Sequence, residues 1–140
     1  MPQQSLVLLV EPKGARNQGH TKALVGAGFR VESVASEEAD PARVLERRPA
    51  VVVAELDGAG AVATLNLARR FRMNPQARLI PFIIYGHQLR AQDIEDAARA
   101  GALWLQLEPA DGARLLAAVR GVIAASRRES AAADGPLDAA

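Results

Sequence analysis

Cysteine is absent from the 140 residues. Disulfides, thiolate metal sites and cysteine nucleophiles are therefore excluded, and the absence fits a reducing cytoplasm. No sign of charge dominates, since the formal net charge is only +1. Basic residues are spread through helical segments rather than gathered in a block. A general nucleic-acid or anionic-membrane surface is not indicated. Long apolar runs are also missing. The first run, Leu6 to Val10, is too short for a signal peptide or a membrane span, so a cytoplasmic protein is expected. No internal repeat is visible. What is present is ordinary globular composition, with 49% hydrophobic and 24% charged residues. The length suits one domain with one sizeable core.

Two kinds of segment alternate along the chain. Short apolar runs occupy Leu6 to Val10, Phe29 to Val34, Val51 to Ala54, Leu79 to Tyr85 and Leu103 to Leu107. Most are continuous rather than alternating, as parallel strands covered on both faces should be. Between them lie stretches of helical spacing. Val62, Leu65, Ala68 and Phe71 recur every third residue and predict one helical face. Leu115, Leu116, Val119, Val122 and Ile123 predict another, with Asp111 placed to cap that helix. Asp40-Pro41 has the form of a helix start, although Pro41 could instead interrupt a helix begun near Ser36.

Five β-then-α units predict an open parallel sheet with helices on both faces and right-handed crossovers. The domain is placed at residues 5–128. Residues 129–140 are small, polar and contain chain breakers, so they are expected to form a disordered tail or a linker.

The helix between the first two strands is the weak one. Gly19 within it costs roughly 1 kcal/mol relative to alanine. Arg16 and His20 stand where apolar residues would be expected. His20 reads as a partly exposed helix residue rather than a metal ligand, because no spacing supplies it with co-ligands.

In such a sheet, chemistry sits beyond the carboxyl ends of the strands. Those ends carry Glu11-Pro12, Glu55, Gly86-His87 and Glu108-Pro109. Around them the chain resembles the receiver domains of two-component response regulators from residue 6 to residue 128. Val7 to Glu11 resembles the first strand with its acidic end, and Gly28-Phe29-Arg30-Val31 the approach to strand two. Arg47 to Val53 resembles the lead into the phosphoacceptor strand, and Asn74 to Ile84 the run into strand four. Ala98 to Ala102 and Glu108-Pro109 resemble the flanks of strand five. No single piece is specific, but the joint order and spacing are. The resemblance implies a flavodoxin-like five-stranded parallel sheet of order 2-1-3-4-5 with five helices, in a bacterial signalling protein.

It also implies a set of functional positions, and this sequence departs from the pattern at each one. The acidic pair that holds Mg²⁺ becomes Glu11 and Pro12, leaving one carboxylate of two. The phosphoacceptor aspartate becomes Glu55, and a misplacement of about 1 Å can cost around a hundredfold in rate. The hydroxyl residue becomes Gly86, without a side chain. The lysine becomes Glu108, a reversal of charge. The switch aromatic becomes Leu105. Asp57, before a glycine, reads as a turn residue rather than a substitute acceptor. A degenerate pseudo-receiver is therefore expected, with Mg²⁺ binding weak or lost and no other cofactor.

The three glutamates Glu11, Glu55 and Glu108 should meet at one end of the sheet and repel one another. Lys13 or an arginine could neutralise them, and a divalent cation on Glu11 and Glu55 is a weaker alternative. The preferred expectation is that the side chains splay into water. His87 reads as a solvent-facing loop residue, because no nucleophile lies beside it.

With the switch chemistry gone, function is expected to come from surfaces. Leu103, Trp104 and Leu105 mark a candidate partner face around the fourth helix, fifth strand and fifth helix, for other proteins or a second copy of the chain. Equally, Trp104 could pack beneath a helix. The leading expectation is a phosphorylation-independent protein-interaction module, with no nucleic-acid or membrane partner. The alternatives are a phosphorelay receiver using a non-standard acidic residue, and a small-molecule sensor using the vacant pocket. Gly14 and Gly19 form no usable phosphate-cradling loop, and no nucleophile–base pair or metal triad suggests an enzyme.

Overall fold

Each of the five apolar runs becomes a strand. The computed structural model describes residues 5–11, 18–36, 38–56, 61–107 and 112–134. The strands are β1 (Leu6–Glu11), β2 (Arg30–Ala35), β3 (Val51–Glu55), β4 (Phe82–Gly86) and β5 (Leu103–Gln106). The helices are α1 (Gln18–Gly26), α2 (Pro41–Arg47), α3 (Ala61–Met73), α4 (Ala91–Arg99) and α5 (Gly112–Asp134). All pairings are parallel, in the order β2-β1-β3-β4-β5. The expected flavodoxin-like order and five helices are thus observed.

Continuous apolar strands need cover on both faces. Leu8, Val10, Val52, Ala54, Phe82 and Ile84 point to one face and pack with Val44 of α2, Leu67, Ala68 and Phe71 of α3, and Ala97 of α4. Val7, Leu9, Val51, Val53, Ile83 and Tyr85 point to the other face. They pack with Leu24 of α1 and Leu115, Val119 and Ile123 of α5. The edge strand β2 is only partly covered: Arg30 and Ser33 are exposed and the other residues half-buried.

Helix ends explain several of the framework residues. At the end of α1 the Phe29 N–H reaches the Leu24 carbonyl (3.1 Å) and the Gly28 N–H reaches that of Val25 (3.0 Å). At the end of α4, Ala102 bonds Ala97 (3.1 Å) and Gly101 bonds Ala98 (3.0 Å). This doubly bonded stop needs a left-handed residue, and both glycines supply it, with φ of 97° and 77°. Helix α2 also stops on a left-handed residue, but that residue is Arg48, with φ 50° and ψ 55°. A side chain there costs roughly 1 kcal/mol that glycine would not.

The structure shifts some expected boundaries. Helix α2 starts at Pro41, with the Asp40 carboxylate accepting from the Arg43 N–H at 2.9 Å, so no helix runs through from Ser36. Strand β4 begins at Phe82 rather than Leu79. The Asn74 side chain accepts from the Gln76 and Ala77 N–H groups, both at 2.9 Å, and folds Ala77–Leu79 into a 3-10 turn. The buried stripe of α3 is Thr64, Leu67, Ala68 and Phe71, while Val62 is 71% exposed. A strict three-residue repeat drifts around a 3.6-residue helix, so Val62 and Phe71 cannot share its face. Helix α5 continues to Asp134, past the expected boundary at Arg128. The stretch Ala131-Ala132-Ala133 favours helix, and the first breakers, Gly135-Pro136, come only afterwards. Asp111 and residues 135–140 lie outside the described residues.

At the start of α4, the Asp93 carboxylate accepts from the Arg90 backbone N–H (2.9 Å) and its guanidinium Nε (3.3 Å). The backbone bond chiefly, opposed by burial and helped by the guanidinium, holds the Asp93 carboxyl below its ordinary value. Its contribution to stability is therefore present above the ordinary carboxylate range and lost as pH falls through the lowered value. Replacing Asp93 with Asn should flatten this part of the acid limb of stability, measured as urea midpoints between about pH 7 and pH 3. The same variant should cost about 1 kcal/mol at neutral pH.

Leu9 of β1 is buried in the centre of the sheet. Leu9→Ala should lower the free energy of unfolding by about 3 kcal/mol, read from urea titration at neutral pH.

Candidate functional site

The topology gathers the carboxyl ends of β1, β3 and β4 at one end of the sheet. Glu11 and Glu55 each follow a register pair, Val10 with Ala54. Glu55 in turn lies opposite Tyr85. All three side chains therefore belong to the face covered by α1 and α5. Glu11 is half-buried, and its Oε1 accepts from the Ser33 hydroxyl of β2 at 3.1 Å.

Glu55 is 9% exposed. The expectation that the glutamates splay into water is corrected for this residue. It closes a strand buried along its whole length, with Tyr85 beside it and α1 across the same face. Its backbone is pinned too, because the hydroxyl of the fully buried Thr64 donates to the Glu55 carbonyl at 3.0 Å. Thr64 links α3 to the strand end, a role that sequence reasoning missed. The signal was a hydroxyl residue three before Leu67 on the buried stripe.

Histidine supplies the second correction. His20 is 3% exposed, not a partly exposed helix residue. It sits one turn before Leu24 on the inner side of α1, so helical spacing carries it under with the leucine. Its ring meets Tyr85 edge-on, with centroids 5.2 Å apart and an interplanar angle of 76°. The ring of His87 stacks on His20 at 6.4 Å and 22°. His87 is half-buried rather than solvent-facing, and its Nδ1 lies 2.7 Å from the Leu107 carbonyl. A carbonyl only accepts, so Nδ1 carries the proton and Nε2 faces elsewhere. Two imidazoles and a phenol ring thus form one group, and its Tyr85 lies opposite Glu55 on the neighbouring strand. Their sequence separation, from residue 20 to residue 87, hid this grouping.

Gly86 is buried between these groups and offers no hydroxyl; its carbonyl accepts from the Leu107 N–H at 2.9 Å. Leu105 is half-buried and packs in the core beneath α5. Leu103 is 45% exposed on the edge strand. Trp104 pairs with Ile84 through its backbone, and its side chain lies outside the described residues. Pro12, Lys13, Gly14, Arg16, Asp57, Glu108 and Pro109 also lie outside them.

The receiver resemblance implies a Mg²⁺ ion at this end. Such an ion takes near-octahedral oxygen ligands. Among the described residues, no group of three His, Cys, Asp or Glu side chains could hold a metal. Glu11 is engaged by Ser33, and Pro12 has no carboxylate to add. Among the described residues, the donor set that the ion requires is not complete.

No family model matches the chain, and no curated protein matches it in sequence. Solved structures do. The signal receiver domain of a modulated diguanylate cyclase from Desulfovibrio desulfuricans superposes with a TM-score of 0.74 at 20% identity, over 91% of this chain and 99% of that one. A chemotaxis protein of Vibrio cholerae superposes with a TM-score of 0.68 at 22% identity, over 86% and 99%. The receiver domain of a Pseudomonas aeruginosa sensor histidine kinase, which holds a magnesium ion in its active-site cleft, gives 0.68 at 20% identity, over 87% and 99%. The chain therefore has the fold of receiver domains.

Thr64→Val keeps the shape of the side chain but leaves the Glu55 carbonyl without its donor. It should cost about 1–2 kcal/mol in urea-induced unfolding. Thr64→Ser, which keeps the hydroxyl, should cost less.

Proposed function

We propose that this chain is a receiver-type signalling domain that works through protein contacts and does not pass through a phosphorylated state. Phosphoryl transfer needs an in-line path to a carboxylate, a cation to neutralise the charge that builds up, and groups that read the product. The observation that carries the reading is the state of Glu55. It stands at the acceptor position, buried, with Tyr85 paired beside it and the His20–His87 stack against that tyrosine. Three sequence features add to it. Gly86 replaces the hydroxyl, Pro12 removes half of the acidic pair, and Glu108 replaces the lysine. Magnesium binding is correspondingly weak in this reading, and the domain catalyses no reaction of its own.

The surface left for partners is the face formed by α4, β5 and α5. Strand β5 is an edge strand carrying the exposed Leu103, which offers an apolar contact beside unpaired backbone groups. A second copy of the chain and another signalling protein are both suitable occupants.

Incubation with acetyl phosphate and Mg²⁺, followed by intact-mass analysis, should leave the polypeptide mass unchanged. Beryllofluoride with Mg²⁺ should likewise leave the amide spectrum of the domain undisturbed. A stoichiometric phosphoryl adduct would overturn the proposal and favour a phosphorelay receiver with a displaced acceptor.

A further inference from the structure

The opposite end of the sheet has a different character. A cavity of about 390 Å³ opens at the amino ends of β1, β2 and β3, and Arg30, Arg47, Arg48 and Arg127 line it together with Ser5. These arginines come from the start of β2, the end of α2, its stop residue and the last third of α5. Arg47 and Arg48 are neighbours in sequence, and the fold brings Arg30 and Arg127 to them.

We propose that this cavity is a binding site for a small ligand carrying two or more linked phosphate groups. The charge argument comes first. Among the described residues, the carboxylate paired with these four guanidinium groups is that of Glu32, 3.0 Å from Arg47 and 3.7 Å from Arg30. Arg48 has no ion pair among the described residues, and the described contact of Arg127 is a neutral one, to the Ser5 hydroxyl at 3.2 Å. Among the described residues, four guanidinium charges against one carboxylate leave three positive charges in excess around one concavity. Guanidinium groups clamp phosphate oxygens in pairs, so several of them on different walls suit several linked phosphates.

The second argument is the backbone of Arg48. Among the described residues, three helices end on a left-handed residue, and two of them use glycine. Arg48 is the one non-glycine residue with positive φ among the described residues. Strain held where glycine would relieve it points to a use for the side chain, and here that side chain lines the cavity. The volume falls within the range of small-ligand pockets. No aromatic residue lines it among the described residues, so recognition runs through the anionic groups rather than through stacking on a base.

Calorimetric titration of the full chain with inorganic pyrophosphate, at physiological ionic strength to screen loose surface attraction, tests the site. Saturable one-to-one binding is expected, with inorganic phosphate weaker by about tenfold or more because it engages fewer guanidinium groups. The double variant R48G/R127A should lose at least about tenfold in affinity. R120A, on an exposed part of α5 outside the cavity, should bind as the parent does. R48G alone should weaken binding while raising the melting temperature, because glycine relaxes the left-handed turn. Weaker binding in a more stable variant cannot be ascribed to unfolding. Three results would overturn the proposal: no saturable heat, equal affinity in the double variant, or equal loss in R120A.

Discussion

Everything in this molecule depends on hiding both faces of a parallel sheet. Strands β1, β3 and β4 are apolar almost throughout, and none could face water on either side. The requirement sorts the helices, with α1 and α5 on one face and α2, α3 and α4 on the other. It also sets where helices must stop, because each has to turn back in time to feed the next strand. Gly28 and Gly101 make two of those turns at little cost in backbone energy. The carboxyl ends of three strands are thereby brought together.

In sheets of this kind chemistry sits at that convergence, and here it holds a buried glutamate. Glu55 is drawn into the covered face because the strand that carries it is covered to its last residue. His20, Tyr85 and His87 form aromatic contacts with one another, and Tyr85 lies opposite Glu55. At the amino end of the sheet, arginines line an open concavity.

Much of this was legible before any coordinates. The alternation of apolar runs with helical stretches revealed the class of fold, because period and run length are local properties. The cap at Asp40 and the stripe of α5 at Leu115, Val119 and Ile123 were readable for the same reason. Val62 was not, since a three-residue repeat mimics a face for one or two turns before rotating off it. The end of α5 was misjudged because a small-residue stretch can read as linker or as helix, and the alanines favoured helix. His20 was misjudged because burial depends on what lies opposite, and Tyr85 is sixty-five residues away.

By itself, the sequence determined the identity and order of the elements, and it determined which side chains are missing from the receiver pattern. Absent groups need no coordinates: Gly86 has no hydroxyl and Pro12 no carboxylate in any fold. The tertiary structure decided which distant residues meet. It buried Glu55, stacked His87 on His20, and assembled Arg30, Arg47, Arg48 and Arg127 around one cavity. Local pattern follows from the period of the backbone, which a few neighbouring residues reveal. Meeting across the sheet follows from strand order and register, which no single segment contains.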